Sequence, residues 1–104
     1  MHVGCDIVDM KRIKDESSFV DLILAPSEKA IYQTKKDKIE FLAGHFAAKE
    51  AFMKAFGTGM AGVPFSQVEV KYEPQGRPFI VYKGIRYEVS LSHDGGLAMA
   101  VVIL

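Results

Sequence analysis

Two carboxylates and a lysine are the side chains in this sequence best suited to chemistry. Glu50 lies inside an otherwise apolar segment, and Lys54 follows it by one helical turn. Asp6 interrupts a short apolar run near the N-terminus, where burial of an unpaired carboxylate would be costly. Mg²⁺ prefers oxygen ligands and is often completed by substrate phosphates, so two carboxylates suit it better than Zn²⁺. These residues suggest metal-assisted phosphate chemistry.

Each of these residues also has a structural interpretation. Glu50 and Lys54 have the i, i+4 spacing of a surface ion pair, and Asp6 could turn to water at the end of a strand. A third polar feature is Ser92-His93, at the corner of a predicted hairpin. The imidazole could bind or polarise a phosphate, although a lone histidine is usually structural or solvated.

A glycine-rich string follows the segment that holds Glu50. Residues 57–62 fit the G-x-G-x-x-G pattern of dinucleotide-binding loops, but that motif needs a strand before it and a helix after it. Here a predicted helix precedes the string, so the string meets the negative end of that helix. We therefore reject the fingerprint and interpret Gly57 as a helix stop.

The composition is that of one globular domain over residues 1–104, with 49% hydrophobic and 25% charged residues. Thirteen basic and thirteen acidic residues cancel, so no positive field indicates a nucleic-acid partner. No run of about 18 apolar residues predicts a membrane span, and no signal peptide is evident. A cytoplasmic protein is expected. The single cysteine, Cys5, lies in an apolar run and is expected to be a small core residue.

One long helix is expected to organise the fold. It begins near Ile39 or Glu40, ends at Gly57 and is apolar around most of its circumference, so several neighbours should bury it. Short helices are predicted before it, with Pro26 ending one and opening the next. A period of two indicates strands at residues 3–8, 68–72 and 85–91, and apolar runs that follow turn signals indicate two more strands at residues 79–82 and 97–104. The pattern predicts an α+β domain in which an antiparallel sheet packs against the long central helix.

The last predicted strand is apolar on both faces, although a small domain has few elements to cover both. Burial against another subunit and a central position within the monomer are both compatible with this pattern.

Several short motifs together resemble the holo-[acyl-carrier-protein] synthases, the short single-repeat branch of the 4′-phosphopantetheinyl transferases. The resemblance runs from about residue 3 to residue 104, and its joint pattern is specific although each piece alone is weak. The matching segments, in the order found in that family, are residues 4–8 with 11–13, residues 41–52 with 54–59, residues 76–78 and residues 91–93.

The resemblance implies transfer of 4′-phosphopantetheine from coenzyme A to a serine of apo acyl carrier protein, leaving adenosine 3′,5′-bisphosphate, as a step of fatty acid biosynthesis. It implies that Asp6 and Glu50 bind Mg²⁺, that Glu50 is the base, directly or through a water, and that Lys54 holds phosphate charge. It also implies a homotrimer with coenzyme A between subunits. The residues implied for the coenzyme site are Lys54, Gly57, Thr58, Gly59, Pro78, His93 and His45, and those for carrier docking are Lys11, Arg12 and Lys14.

Two features depart from the family pattern. His45 stands where the family usually has arginine, which replaces a permanent charge by a titratable one and predicts pH-sensitive coenzyme A binding. The segment between Pro78 and Ser90 is also shorter than usual. Two other classes stay open: a non-catalytic coenzyme A-binding or assembly module, and a coenzyme A thioesterase. Joint use of Asp6, Glu50 and Lys54 would distinguish phosphoryl transfer from both.

Overall fold

The computed structural model describes residues 1–57 and 62–104. Strand β1 (Val3–Asp9) is followed by helices α1 (Ser17–Ile23), α2 (Pro26–Tyr32) and α3 (Lys38–Phe56), and then by strands β2 (Glu69–Tyr72), β3 (Pro78–Tyr82), β4 (Ile85–Asp94) and β5 (Leu97–Ile103). Short 3₁₀ turns lie at Met10–Arg12 and Phe65–Gln67. The predicted α+β class is confirmed.

The sheet is antiparallel with the strand order β1-β5-β4-β3-β2, and α3 packs mainly against β1 and β5. Strand β5 therefore lies inside the sheet. Its inward residues Ala98, Ala100 and Val102 are buried, whereas Leu97, Met99 and Ile103 on the outer face are exposed. A central position in the sheet thus accounts for only one of the two apolar faces.

Capping groups fix both ends of α3. The Asp37 side chain accepts a 3.0 Å hydrogen bond from the Glu40 N–H, which starts the helix at Lys38, slightly earlier than the sequence predicts. At the other end the Gly57 N–H bonds to the Met53 carbonyl, and Gly57 has a φ of +89°. The prediction that Gly57 ends the helix is confirmed.

Strand β1 and helix α3 approach each other unusually closely at Gly4. A Cβ at this position would lie 2.0 Å from the Ala51 carbonyl oxygen and 2.7 Å from the Ala55 nitrogen. Gly4 and Val8 are buried on the inner face of β1, and Asp6 lies between them on the same face. The close approach therefore brings Asp6 to the carboxyl-terminal half of α3.

The same geometry corrects the expectation for Cys5. The inner face of β1 is set by Gly4, so Cys5 points to the outer face together with Val3 and Ile7, and all three are exposed. The alternation of the strand was predicted, but the assignment of the cysteine to the core was wrong.

Gly4→Ala is expected to lower the free energy of unfolding by about 1–3 kcal/mol, because the new methyl group must push the α3 backbone away from β1. Gly44→Ala is the matched control: a Cβ there meets no atom within 4 Å, and alanine favours a helix over glycine by about 1 kcal/mol. Urea unfolding of both variants checks the contrast. Equal effects of the two substitutions would contradict the close packing at Gly4.

Candidate active site

Asp6 and Glu50 line one small cavity between β1 and α3. It has a volume of about 320 Å³, and Arg12 and Phe46 also contribute to its wall. Asp6 comes from the inner face of β1 and Glu50 from the fourth turn of α3, so two elements far apart in sequence supply the carboxylates. The structure therefore brings together the two residues that the sequence suggested for a metal.

Lys54 is bound to Asp6 rather than to Glu50. Its Nζ donates hydrogen bonds to Asp6 Oδ1 at 2.9 Å and to the Cys5 carbonyl oxygen at 3.2 Å. In the ranges 1–57 and 62–104 no ion pair joins Lys54 to Glu50 within 4.0 Å. The Asp6 side chain is 15% exposed and the Lys54 side chain 55% exposed, so the lysine covers Asp6 while remaining open to solvent.

The charges in this cavity shift one another. Burial raises the pKa of Glu50, the neighbouring Asp6 charge raises it further, and Lys54 opposes the shift. The hydrogen bond to Asp6 raises the pKa of Lys54. The two carboxylates repel each other in this partly buried cavity, and a cation bound between them would offset that repulsion.

The donor set fits Mg²⁺. Across the described part of the chain, no cluster of three or more His, Cys, Asp or Glu side chains could hold a metal. A cation at Asp6 and Glu50 would therefore take its other ligands from water and substrate, which is how Mg²⁺ usually binds beside phosphates.

A larger cavity of about 840 Å³ lies toward the amino-terminal end of α3, against β3 and β4. His45, Pro78 and His93 all line it, together with Arg77 and Tyr72. The His93 Nε2 lies 3.2 Å from Glu40 Oε1, so the first turn of α3 supports this exposed imidazole. Three of the residues predicted for a coenzyme site thus share one cavity.

The remaining predicted site residues are placed less centrally. Gly57 is the cap of α3, and Thr58 and Gly59 lie outside the described residues. Lys11 and Lys14 are exposed beside Arg12, at the 3₁₀ turn that follows β1. Of these three basic residues, Arg12 lines the smaller cavity.

Both ring nitrogens of His45 are engaged within the protein. The ring is 1% exposed and stacks on Phe41. Its Nδ1 lies 3.0 Å from Glu28 Oε2, and its Nε2 lies 2.7 Å from the Tyr72 hydroxyl. His45 is therefore part of the cavity wall, and its nitrogens do not point freely at a ligand.

Sequence reasoning missed the residues that hold His45. Glu28 and Lys49 are both 0% exposed, and the Lys49 Nζ lies 2.6 Å from Glu28 Oε1. Glu28 also accepts hydrogen bonds from the backbone N–H groups of Ala25 at 2.6 Å and Val70 at 2.8 Å. We call Glu28, His45, Lys49 and Tyr72 the Glu28 network. It joins α2, α3 and β2 around one buried carboxylate.

A signal for this network was present in the sequence. Leu42, His45, Lys49 and Phe52 recur at helical spacing on one stripe of α3, and all four are buried. Two polar residues on a stripe that is otherwise apolar need a buried acceptor. Glu28 is that acceptor, although nothing in the pattern of its own short helix distinguishes it from a surface glutamate.

The network should make the protein sensitive to acid. Burial lowers the pKa of His45 below its ordinary value of 6.5, although Glu28 opposes this. Burial alone would raise the pKa of Glu28, but its bonds to His45 and Lys49 outweigh this and lower it. As the pH falls below about 6.5 the unfolded chain takes up the His45 proton first, and below the ordinary Glu28 value of 4.5 the Glu28 contribution is lost in turn.

We therefore expect the free energy of unfolding to decrease from pH 7 to pH 5, and to decrease less in His45→Asn. The asparagine keeps a donor for Glu28 but does not titrate. Urea unfolding at several pH values measures both slopes, and replacement of the exposed His2 by asparagine is the control. Equal slopes for the wild type and His45→Asn would contradict this expectation.

Comparison with known proteins decides the family. A family model described as the 4′-phosphopantetheinyl transferase superfamily matches residues 2–102. The chain belongs to this superfamily. A holo-[acyl-carrier-protein] synthase of Geobacillus sp. (strain WCH70) is 41% identical to this chain. The alignment is 111 positions long and covers 98% of this chain and 93% of that protein.

Solved structures agree with the phosphopantetheinyl transferase assignment. A holo-(acyl-carrier-protein) synthase of Bacillus anthracis in complex with CoA (3′,5′-ADP) has a TM-score of 0.87 at 36% identity, over 97% of this chain and 92% of that chain. The Helicobacter pylori synthase in complex with coenzyme A has a TM-score of 0.85 at 31% identity, over 97% of both chains. The predicted family, fold and enzyme class are confirmed.

Proposed function

We propose that this protein transfers 4′-phosphopantetheine from coenzyme A to a serine of apo acyl carrier protein in a Mg²⁺-dependent reaction. The supporting observation is the cavity in which Asp6, Glu50 and Arg12 meet, with Lys54 bonded to Asp6. The Bacillus anthracis and Helicobacter pylori relatives bind coenzyme A, which favours the same substrate here. The products are the holo carrier protein and adenosine 3′,5′-bisphosphate.

Asp6 and Glu50 would hold the Mg²⁺. When bound there, the cation supplies positive charge that neutralises the pyrophosphate of coenzyme A and the charge that develops during transfer. The carboxylates set its position from two rigid elements, because β1 and α3 are locked together at Gly4.

Glu50 accepts the proton of the carrier serine. Glu50 lines the small cavity and is partly exposed, so its carboxylate can take this proton directly or through a water. The serine oxygen attacks the β-phosphorus, a P–O bond to that phosphorus forms, and the bond from the β-phosphorus to the bridging oxygen breaks. The α-phosphate leaves as part of adenosine 3′,5′-bisphosphate, and Lys54 donates a hydrogen bond to it.

The larger cavity receives the nucleotide part of coenzyme A. His45, Pro78 and His93 line it. Lys54, Gly57, Thr58 and Gly59 are proposed as further coenzyme-binding residues, of which Thr58 and Gly59 lie outside the described residues. Glu50 is five residues beyond His45 along α3, a rise of about 7.5 Å. Five residues also turn the helix by about 140°, so the two cavities lie on different sides of α3. In a homotrimer, a coenzyme A between subunits can join the small cavity of one copy to the large cavity of another.

Lys11, Arg12 and Lys14 form the docking face for an acidic carrier protein. Lys11 and Lys14 are exposed, and Arg12 extends this basic face to the edge of the catalytic cavity. A carrier held by these side chains would present its serine beside Glu50. The cytoplasmic location expected from the sequence is likewise proposed, in keeping with these two substrates.

The exposed outer face of the sheet supports a homotrimer. Val3, Ile7, Leu97, Met99 and Ile103 form an apolar surface across β1 and β5 that the described monomer leaves open. Burial of this face against two further copies would remove it from water. Sedimentation equilibrium tests this assembly, and a stable monomer at micromolar concentration would rule it out.

The transfer is tested by intact-mass analysis of apo acyl carrier protein after incubation with coenzyme A, Mg²⁺ and this protein. We expect a phosphopantetheine adduct on one serine, with release of adenosine 3′,5′-bisphosphate. A non-catalytic coenzyme A-binding module would leave the carrier unmodified. A thioesterase would instead release the acid from acyl-coenzyme A and form no adduct.

A further inference from the structure

The Glu28 network determines which way the Tyr72 hydroxyl can bond. An ionised carboxylate only accepts hydrogen bonds, so the His45 Nδ1, 3.0 Å from Glu28 Oε2, must carry a hydrogen and donate it. Val70 N–H and Lys49 donate to the same carboxylate, which keeps it in its ionised form. Glu28 thus fixes the tautomer of His45.

The other ring nitrogen then acts as the acceptor. Burial favours the neutral imidazole, in which a protonated Nδ1 leaves Nε2 with a lone pair. The Tyr72 oxygen lies 2.7 Å from this nitrogen, so the Tyr72 O–H donates to His45. Burial and the Glu28 charge raise the pKa of Tyr72 to about 12, so the phenol keeps that proton.

Tyr72 is therefore left with acceptor capacity alone. Its one hydrogen is used by His45, while its oxygen retains a lone pair, and Tyr72 lines the large cavity. Ionised phosphate oxygens are also acceptors and gain nothing from this group. A ligand group that bonds here must carry an N–H or O–H.

The donors of coenzyme A narrow the choice, and this step rests on the proposed function. With the pyrophosphate at Asp6 and Glu50, the pantetheine amides lie on the side of the carrier serine. The donors on the nucleotide side are the amino group of adenine and the ribose 2′-hydroxyl. The 2′-hydroxyl lies beside the 3′-phosphate, which would pair with cations such as the cavity-lining Arg77 and Lys35. The amino group lies at the far edge of the uncharged base, where it can reach a neutral acceptor.

We propose that Tyr72 is a specificity-determining residue of the coenzyme site, whose hydroxyl oxygen, oriented by His45 and Glu28, accepts a hydrogen bond from the amino group of adenine. Glu28 and His45 act through Tyr72 and are positioning residues. A purine that carries an oxygen in place of the amino group puts an acceptor against an acceptor and is rejected.

The test is calorimetric binding of adenosine 3′,5′-bisphosphate and of its inosine counterpart, which has no amino group. We expect the wild-type protein to bind the inosine ligand about tenfold more weakly. Tyr72→Phe should bind the adenosine ligand about tenfold more weakly and show nearly equal affinity for both. Tyr87→Phe is the matched control, because Tyr87 packs on Phe52 away from the cavity lining, and it should keep the wild-type ratio.

Two further arms separate the alternatives. His45→Asn still donates to Glu28 but no longer holds the Tyr72 proton, so the adenosine-to-inosine ratio should fall while the protein stays folded. If Tyr72→Phe instead removes discrimination against the 2′-deoxy analogue, or leaves the wild-type purine ratio unchanged, the assignment is wrong. Absence of nucleotide binding to the wild type would also overturn it.

Catalysis is not needed for this experiment. Binding and base discrimination without transfer to apo carrier protein would contradict the proposed function and leave the role of Tyr72 intact. Transfer at equal rates from the adenine coenzyme and from its hypoxanthine analogue would support the proposed function and contradict the role of Tyr72.

Discussion

Replacement of Glu50 by glutamine is expected to slow phosphopantetheine transfer by about 10²–10⁴-fold, the range typical for loss of a general base. The amide has the shape of the carboxylate but cannot take the serine proton. It also removes one of the two charges available to Mg²⁺ in the small cavity. Initial rates of adenosine 3′,5′-bisphosphate release at saturating coenzyme A measure the effect.

The position of Glu50 makes this prediction specific. The substitution should change the free energy of unfolding by no more than about 0.5 kcal/mol, because Glu50 is partly exposed and, among the described residues, no buried donor bonds to it. Asp21→Asn, which removes an exposed carboxylate paired with Lys29, is the control and should retain the wild-type rate. A Glu50→Gln protein that is folded and fully active would exclude Glu50 as the base.

The second large effect concerns stability. Glu28→Gln is expected to lower the free energy of unfolding by about 3–5 kcal/mol, the cost of breaking a buried ion pair from one side. The new amide nitrogen would have to face donors, either Ala25 N–H and Lys49 or Val70 N–H and His45. Urea unfolding at pH 7 measures the loss.

Two further variants test whether the loss comes from the network. Glu88→Gln changes an exposed carboxylate whose ion pair with Arg86 spans 3.8 Å, and it should cost no more than about 1 kcal/mol. Adding Lys49→Met to Glu28→Gln should recover part of the loss, because the ammonium no longer lies buried without its partner. Strict additivity of the two substitutions would show that they are not coupled.

Local periodicity accounts for the parts of the fold that the sequence predicts. Strands β2 and β4 carry a period of two, α3 and β5 are long apolar runs, and Gly57 and Pro26 mark boundaries by their backbone preferences. Asp6 and Glu50 stood out because each is a charge within an apolar run. Their meeting in one cavity depends on the packing of β1 on α3, which no local pattern encodes.

Cys5 shows the limit of this reasoning. Both faces of β1 carry small or apolar residues, so alternation separates the faces without telling which one is inward. The contact between Gly4 and the α3 backbone decides the question, and it depends on a partner about 50 positions away in sequence.

Glu28 was missed for a related reason. An isolated glutamate near the start of a short helix normally faces water, where it favours the helix dipole. Its partners His45, Lys49 and Val70 lie 17 to 42 residues away. The same network gives His45 a different role. This histidine, which stands where the family usually has arginine, is held by Glu28 and in turn holds the Tyr72 hydroxyl.

The most direct measurement is the single-turnover rate of adduct formation on apo acyl carrier protein, followed by intact mass as Mg²⁺ is varied, for the wild type, Asp6→Asn and Glu50→Gln. We expect a Mg²⁺-dependent adduct with the wild type and much slower formation in both variants. An adduct that forms at the wild-type rate in both variants, or at the same rate after Mg²⁺ is removed by a chelator, would contradict a metal-assisted transfer centred on Asp6 and Glu50.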